Sequence, residues 1–246
     1  MAENQVKDKE LIDKLFSVGA HYGYTRTRRH PSMTPFIFGS KNRVEVFDLE
    51  KVKDLLLAAK SYVYELGQDK KTILIVGGKH EVREVVRHAA QSIDMPFVAG
   101  RWIGGTLTNF SEIKKRIQRL EELQDKRAKG ELEKYTKREQ LDFDREIADL
   151  EAHFGGLVSL RELPKALFVI DTKHENIAVR EAREVKIPVV GFMNADGNVP
   201  EVAYPLIGND SALSSVTFFV NEIVSAYREG YNNPRQISET KEKKGE

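Results

Sequence analysis

Gly77-Gly78-Lys79-His80 is the first place in this sequence where residue types and spacing could do chemistry, because it stands between an apolar run, Ile73 to Val76, and a helix-like stretch, Glu81 to Gln91. Backbone N–H groups at such a strand-to-helix turn can cradle a phosphate, and a lysine beside them can bind it. Neither G-x-G-x-x-G nor G-x-x-x-x-G-K-S/T is present, so the residues specify no phosphate nest and a tight turn is the simpler expectation. Gly104-Gly105 lacks a preceding strand and reads as a turn too.

The six histidines offer no better chemistry. None stands in H-E-x-x-H; His21 and His30 are separated by an expected loop, and His80 and His88 lie too far apart on one predicted helix to share an ion. Without cysteine there is no disulfide and no thiolate site, which suits a reducing cytosol. Asp171 follows the apolar run Ala166 to Ile170, where open α/β sheets carry functional groups, and Asp196 has a similar place. No nucleophile, base or ligand pattern accompanies either, so hydrogen bonds to loop backbone are the expected role. We therefore expect no catalytic residue, no metal site and no cofactor.

Charge is more informative. The net charge is only +1 over 246 residues, yet from His21 to Arg43 the chain carries Arg26, Arg28, Arg29, Lys41 and Arg43 with no Asp or Glu. Such local segregation matters more than the sum. Pro31 and Pro35 discourage a regular helix here, and the segment reads as a loop.

The elements that must position these residues form repeating strand–helix units. Ala166–Ile170 is a continuous apolar run of strand length, Glu175 to Val185 reads as a helix, and Pro188 to Phe192 as the next strand, the spacing of a parallel sheet. Pro96-Phe97-Val98 follows the Glu81 to Gln91 helix in the same way. A last helix is expected from near Ser211 to about Arg228, with Asn209 and Asp210 as its cap. Between Ser111 and Phe154 the pattern changes to two apolar stripes, Ile113, Ile117, Leu120, Leu123 and Phe143, Ile147, Leu150, Phe154, separated by a polar turn around Lys126 to Gly130. Two such stripes fit an antiparallel helical hairpin, a short coiled coil. The expected organisation is an N-terminal tail over residues 1–10, an α/β domain over 11–110 and 155–229, a hairpin insertion over 111–154 and a disordered tail over 230–246. No apolar run approaches the roughly 20 residues needed to cross a bilayer, so a soluble protein with no membrane contact is expected.

Gly19-Ala-His-Tyr-Gly-Tyr24, Pro31 to Gly39 (PSMTPFIFG), Arg43 to Lys51 (RVEVFDLEK), Arg101 to Asn109 (RWIGGTLTN), Leu163 to Asp171 (LPKALFVID) and Ile207-Gly-Asn-Asp210 occur in order and in register. Together they resemble the bacterial ribosomal small-subunit protein two family, over about Leu11 to Arg228. The resemblance implies a flavodoxin-like three-layer α/β/α parallel sheet with an inserted helical hairpin, bound to 16S ribosomal RNA between the head and body of the small subunit. It further implies a cytoplasmic, structural role in translation beside neighbouring small-subunit proteins, and a contact with the mRNA-binding small-subunit protein one. The chain departs from the family's usual G-x-H-F/Y-G-H at Tyr24, from its usual Asn before Pro31 at His30, and from its D-T-N-x-D-P at Asn194 to Val199. No histidine-pair metal site is expected there.

Ribosomal RNA binding would account for the basic segment and the missing catalytic constellation at once. The expected phosphate contacts are Arg26, Arg28, Arg29, Lys41 and Arg43, with Arg101 and, where the hairpin begins, Lys114, Lys115 and Arg116. Trp102 either stacks on a base or packs against the hairpin base. Two other readings use the same scaffold: a nucleotide- or sugar-phosphate-using enzyme built on Gly77-Gly78, and a free protein-interaction module built on the hairpin.

Overall fold

The computed structural model describes residues 2–235. Its elements run α1 (Ala2–Ser17), β1 (Tyr22–Thr25), β2 (Ile37–Lys41), β3 (Val44–Phe47), α2 (Leu49–Gln68), β4 (Ile73–Val76), α3 (Arg83–Ser92), β5 (Phe97–Val98), α4 (Phe110–Ala128), α5 (Lys137–Phe154), β6 (Ala166–Ile170), α6 (Asn176–Glu184), β7 (Val189–Met193), β8 (Tyr204–Ile207) and α7 (Leu213–Asn232). The apolar runs β4, β6 and β7 are buried along their whole length, as strands covered on both faces must be. They pair in parallel with β5 and β8 in the order β5-β4-β6-β7-β8. Counted within this sheet the order is 2-1-3-4-5, the flavodoxin-like arrangement, with helices flanking the sheet. Its switch point lies between the carboxyl ends of β4 and β6, because the chain leaves β4 toward one edge and continues from β6 toward the other.

Helix α2 starts at Asp48, whose side chain accepts from the Glu50 N–H at 3.2 Å and caps the first turn. It crosses α7 so closely that a Cβ at Gly67 would collide with the Tyr227 carbonyl, and one at Gly230 with the Tyr64 carbonyl. Helix α5 opens with a reciprocal capping box between Thr136 and Glu139. Ile113, Ile117, Leu120 and Leu123 of α4 are buried, as are Ile147, Leu150 and Phe154 of α5. Both guanidinium edges of Arg119 that face α5 donate to Glu146, each at 2.9 Å.

Several elements differ from the sequence expectation. Residues 2–10 are not a tail but the start of α1, where Leu15 is fully buried, Leu11 packs on the core and Asp8 pairs with Lys53 of α2 at 3.1 Å. The span from Tyr22 to Phe47 is not a plain loop: β1, β2 and β3 form a separate antiparallel sheet in the order β1-β3-β2, and short 3-10 turns occupy Arg26–Arg28 and Pro31–Phe36. A 3-10 turn tolerates Pro31 at its start, while Pro35 lies within the same short turn, which ends at Phe36. Helix α7 begins at Leu213 without a side-chain cap, since Asp210 is engaged elsewhere, and it ends at Asn232 rather than near Arg228. The Tyr227 hydroxyl, donating to the Lys71 carbonyl at 3.1 Å, fastens that last stretch. The rest of the expected C-terminal tail, residues 236–246, lies outside the described residues.

Candidate nucleic-acid interface

The switch point of a doubly wound sheet is where a ligand would be sought first, and here the chain's own carboxylates engage its turn amide and its lysine. Gly78 donates its N–H to Glu175 Oε1 at 3.0 Å, and the same oxygen takes a bond from His174 Nδ1 at 2.7 Å. The fit is tight: a Cβ on Gly78 would come within 2.5 Å of that carboxylate oxygen and 2.6 Å of the Gly100 carbonyl. Gly78 is thus required for close approach, and the approaching group is a buried carboxylate where a nucleotide fold would hold a phosphate.

Lys79 is used in the same inward manner. Its Nζ lies 2.5 Å from Asp171 and 2.8 Å from Asp210. Burial works against the ammonium, but the bonds to the two carboxylates raise its pKa above the ordinary lysine value. Burial likewise opposes the charge on Asp210, yet Lys79 and then Asn194 hold it ionised below the usual carboxylate range. Asn194 Nδ2 donates to Asp210 at 2.7 Å, so a carboxylate at position 194 would face a second carboxylate instead of donating to it. Asp171 sits in the left-handed region, φ +61°, and accepts from the Lys173 and His174 N–H groups. Asp196 accepts from Arg28 at 3.3 Å and lies 3.2 Å from Lys173. Both aspartates therefore hold loops and cations in place, as an Asp without a nucleophile beside it should.

A second carboxylate organises the Arg101–Asn109 segment. Glu181, on α6, accepts from the N–H groups of Gly105, Leu107 and Thr108 at 2.8, 3.0 and 3.2 Å, from the Thr108 hydroxyl at 3.2 Å and from Trp102 Nε1 at 3.2 Å. Burial disfavours its charge, but these donors, led by the Leu107 and Gly105 amides, hold its pKa below the usual value. Gly105, at φ +91°, lets the backbone turn its amides toward one point. Trp102 is only 5% exposed, so its indole belongs to this packed junction and does not offer a face to a base. Sequence reasoning missed Glu181, because an acid in a short charged helix looks like any solvated residue.

The nine expected phosphate contacts fall in different settings. Arg29 donates to the buried Glu45 at 2.9 Å, and Arg28 pairs with Asp196 while its guanidinium lies 3.9 Å from the centre of the Tyr24 ring. Arg29 is thus tied into the fold, whereas Arg28 is paired with Asp196 but keeps an exposed side chain. Arg26 and Arg43 are exposed, have no ion partner among the described residues, and line one groove together with Thr25, Thr27 and Ser40. Lys41, at the end of β2, is also exposed and without an ion partner among the described residues. Arg101 lines a different crevice with Gly78, Arg83, Trp102, His174 and Glu175, which opens at the switch point itself. Lys114 and Arg116 are exposed on the first turns of α4, while Lys115 pairs with Glu112 at 2.6 Å. Among the described residues no group of His, Asp and Glu has metal-binding geometry, and no helix is long and apolar enough to cross a membrane.

Comparison with known proteins gives concordant matches. A family model described as ribosomal protein S2 matches residues 15–230. A small ribosomal subunit protein uS2 from Geotalea uraniireducens (strain Rf4) is 37% identical over 219 residues, which cover 89% of this chain and 86% of that protein.

Proposed function

Because the chain belongs to the ribosomal protein S2 family, a structural and non-enzymatic family of the small ribosomal subunit, we propose that its α/β domain is held on that subunit by 16S ribosomal RNA through Arg26, Lys41 and Arg43. The supporting observation is the contrast between two kinds of cation. Lys79, Arg28 and Arg29 are spent on internal carboxylates, whereas Arg26, Lys41 and Arg43 are exposed and have no carboxylate partner among the described residues. Cations left over in a chain of net charge +1 are suited to phosphates, and such contacts position a protein on folded RNA more than they read sequence. Arg101, Lys114 and Arg116 would add contacts of the same kind, and Lys115 would join after giving up Glu112. Cytoplasmic location, contacts with neighbouring small-subunit proteins and a contact with the mRNA-binding small-subunit protein one follow from the family likeness.

The test is binding to small subunits lacking this protein, measured across a salt series. Changing Arg26, Lys41 and Arg43 together to Gln should weaken binding and make the slope of log affinity against log salt shallower by about two, since each lost phosphate contact removes close to one released counterion. An unchanged affinity and slope would show that these cations do not touch the RNA. In a lysate fractionated on a sucrose gradient, nearly all the protein should sediment with small subunits; a free pool would favour the interaction-module reading.

A further inference from the structure

We propose that Thr25, Arg26, Thr27, Ser40 and Arg43 form a cradle for a single RNA backbone phosphodiester, and that Arg43 is kept in a strained turn position to complete it. The inference rests on the RNA-binding reading above and gives that surface one defined subsite.

The five residues line one groove of about 500 Å³, and no carboxylate is among them. Arg26 opens the 3-10 turn that follows β1, and Arg43 stands across the groove in the turn joining β2 to β3. Arg26 and Arg43 both line this space with no counter-charge among the lining residues, and an anion entering it would be attracted by both. Guanidinium forks match the paired oxygens of a phosphodiester, and hydroxyls supply further donors. The Thr25 and Thr27 hydroxyls lie 3.0 Å apart, so when one donates to the other, the second keeps its proton for a ligand. No aromatic or carboxamide side chain lines the groove to stack on a base or read its edge, which favours the backbone as the occupant.

The independent observation is backbone strain at Arg43. Lys41 pairs with Val44, leaving Asn42 and Arg43 as a two-residue hairpin loop, and both have positive φ, +52° and +68°. A loop of this kind favours Asn at the first position and Gly at the second. Asn42 meets the preference; Arg43 violates it. Its side chain makes no ion pair or hydrogen bond among the described residues, so the fold gains no such bond from keeping an arginine in the left-handed region. Strain of this sort persists where a function requires the side chain.

The experiment uses the full chain with Arg43→Gly, Arg26→Gln and the double change, measuring thermal stability and affinity for small subunits lacking this protein over a salt series. Arg43→Gly should raise Tm by roughly 2–4 °C by relieving the turn. It should also make the salt slope shallower by about 0.7–0.9, the value of one phosphate. The double change should lose no more slope than Arg43→Gly alone, because the cradle needs both arginines and the loss of either releases the same phosphate. A lowered Tm in Arg43→Gly, an affinity and slope equal to wild type, or losses that add to about two in the double change would each overturn the cradle. Failure of the RNA reading looks different: the unchanged protein would then itself bind subunits without salt dependence, or not at all.

Discussion

Glu181 and Trp102, 79 positions apart in sequence, meet through an indole N–H donated to the carboxylate at 3.2 Å, and that bond joins α6 to the segment that leads into α4. The same carboxylate gathers three backbone amides and a hydroxyl from Gly105 to Thr108, so one buried charge fixes the path of a whole loop.

Replacing Glu181 with Gln should therefore cost about 2–4 kcal/mol, because the amide NH2 would face N–H donors that then lose their acceptor. Urea denaturation should show a lower midpoint with an unchanged m value. A midpoint within error of the wild type would mean that the loop is held by other contacts.

The pH dependence follows from the signs of three shifts. Glu181 and Asp210 have folded pKa values below their ordinary ones, so the stability they contribute is complete above the unfolded values of about 4 and is lost as pH falls through the lower folded values. His21 is lowered by burial against Phe16, so below about pH 6.5 the unfolded chain takes up a proton that the folded chain refuses. Stability should begin to decline near pH 6.5 and decline further below about pH 4. Denaturation midpoints at pH 8, 6, 5, 4 and 3 check this, and His21→Phe should remove the first decline alone.

Lys79→Met would leave Asp171 and Asp210 facing each other without their cation and should destabilise the protein by about 3–5 kcal/mol. Because Glu175 already takes the Gly78 N–H and Asp171 and Asp210 take the Lys79 ammonium, titration of the unchanged protein with NAD, FMN or ATP should give no saturable micromolar binding. Saturable binding of any of them would restore the enzyme reading.

Arg29→Gln and Arg26→Gln should separate folding from RNA contact. The first leaves buried Glu45 without its partner and should cost about 2–4 kcal/mol, while the second alters an exposed side chain and should stay within about 0.5 kcal/mol. Subunit binding should respond in the opposite order once both are measured as folded protein. Equal stability losses would show that the two arginines have the same setting.

The α4–α5 pair is proposed to open as its own unit, as an inserted hairpin would. Ile117→Asp places a charge among the buried side chains of α4 and α5 and should strip hydrogen-exchange protection from residues 110–154 while β4 keeps its protection. Equal losses in both regions would show a single cooperative unit.

By itself the sequence determined the parallel sheet and the family, because strands buried on both faces must be continuously apolar and β4, β6 and β7 carry that composition in the chain itself. It also gave no nucleotide-loop pattern at Gly77-Gly78, since such a pattern is local and its residues are missing there. Only the tertiary structure decided which charges are free. Arg28 and Arg29 meet Asp196 and Glu45 across separations of 168 and 16 residues, and Lys79 meets Asp210 across 131, so nothing local distinguishes them from Arg26 or Arg43. The small antiparallel sheet was hidden for a related reason: β1, β2 and β3 are short and mostly exposed or half-exposed, and their pairing depends on neighbours brought together by the fold. Trp102 looked open to either role, and the buried carboxylate of Glu181, supplied from a distant helix, fixed it inside.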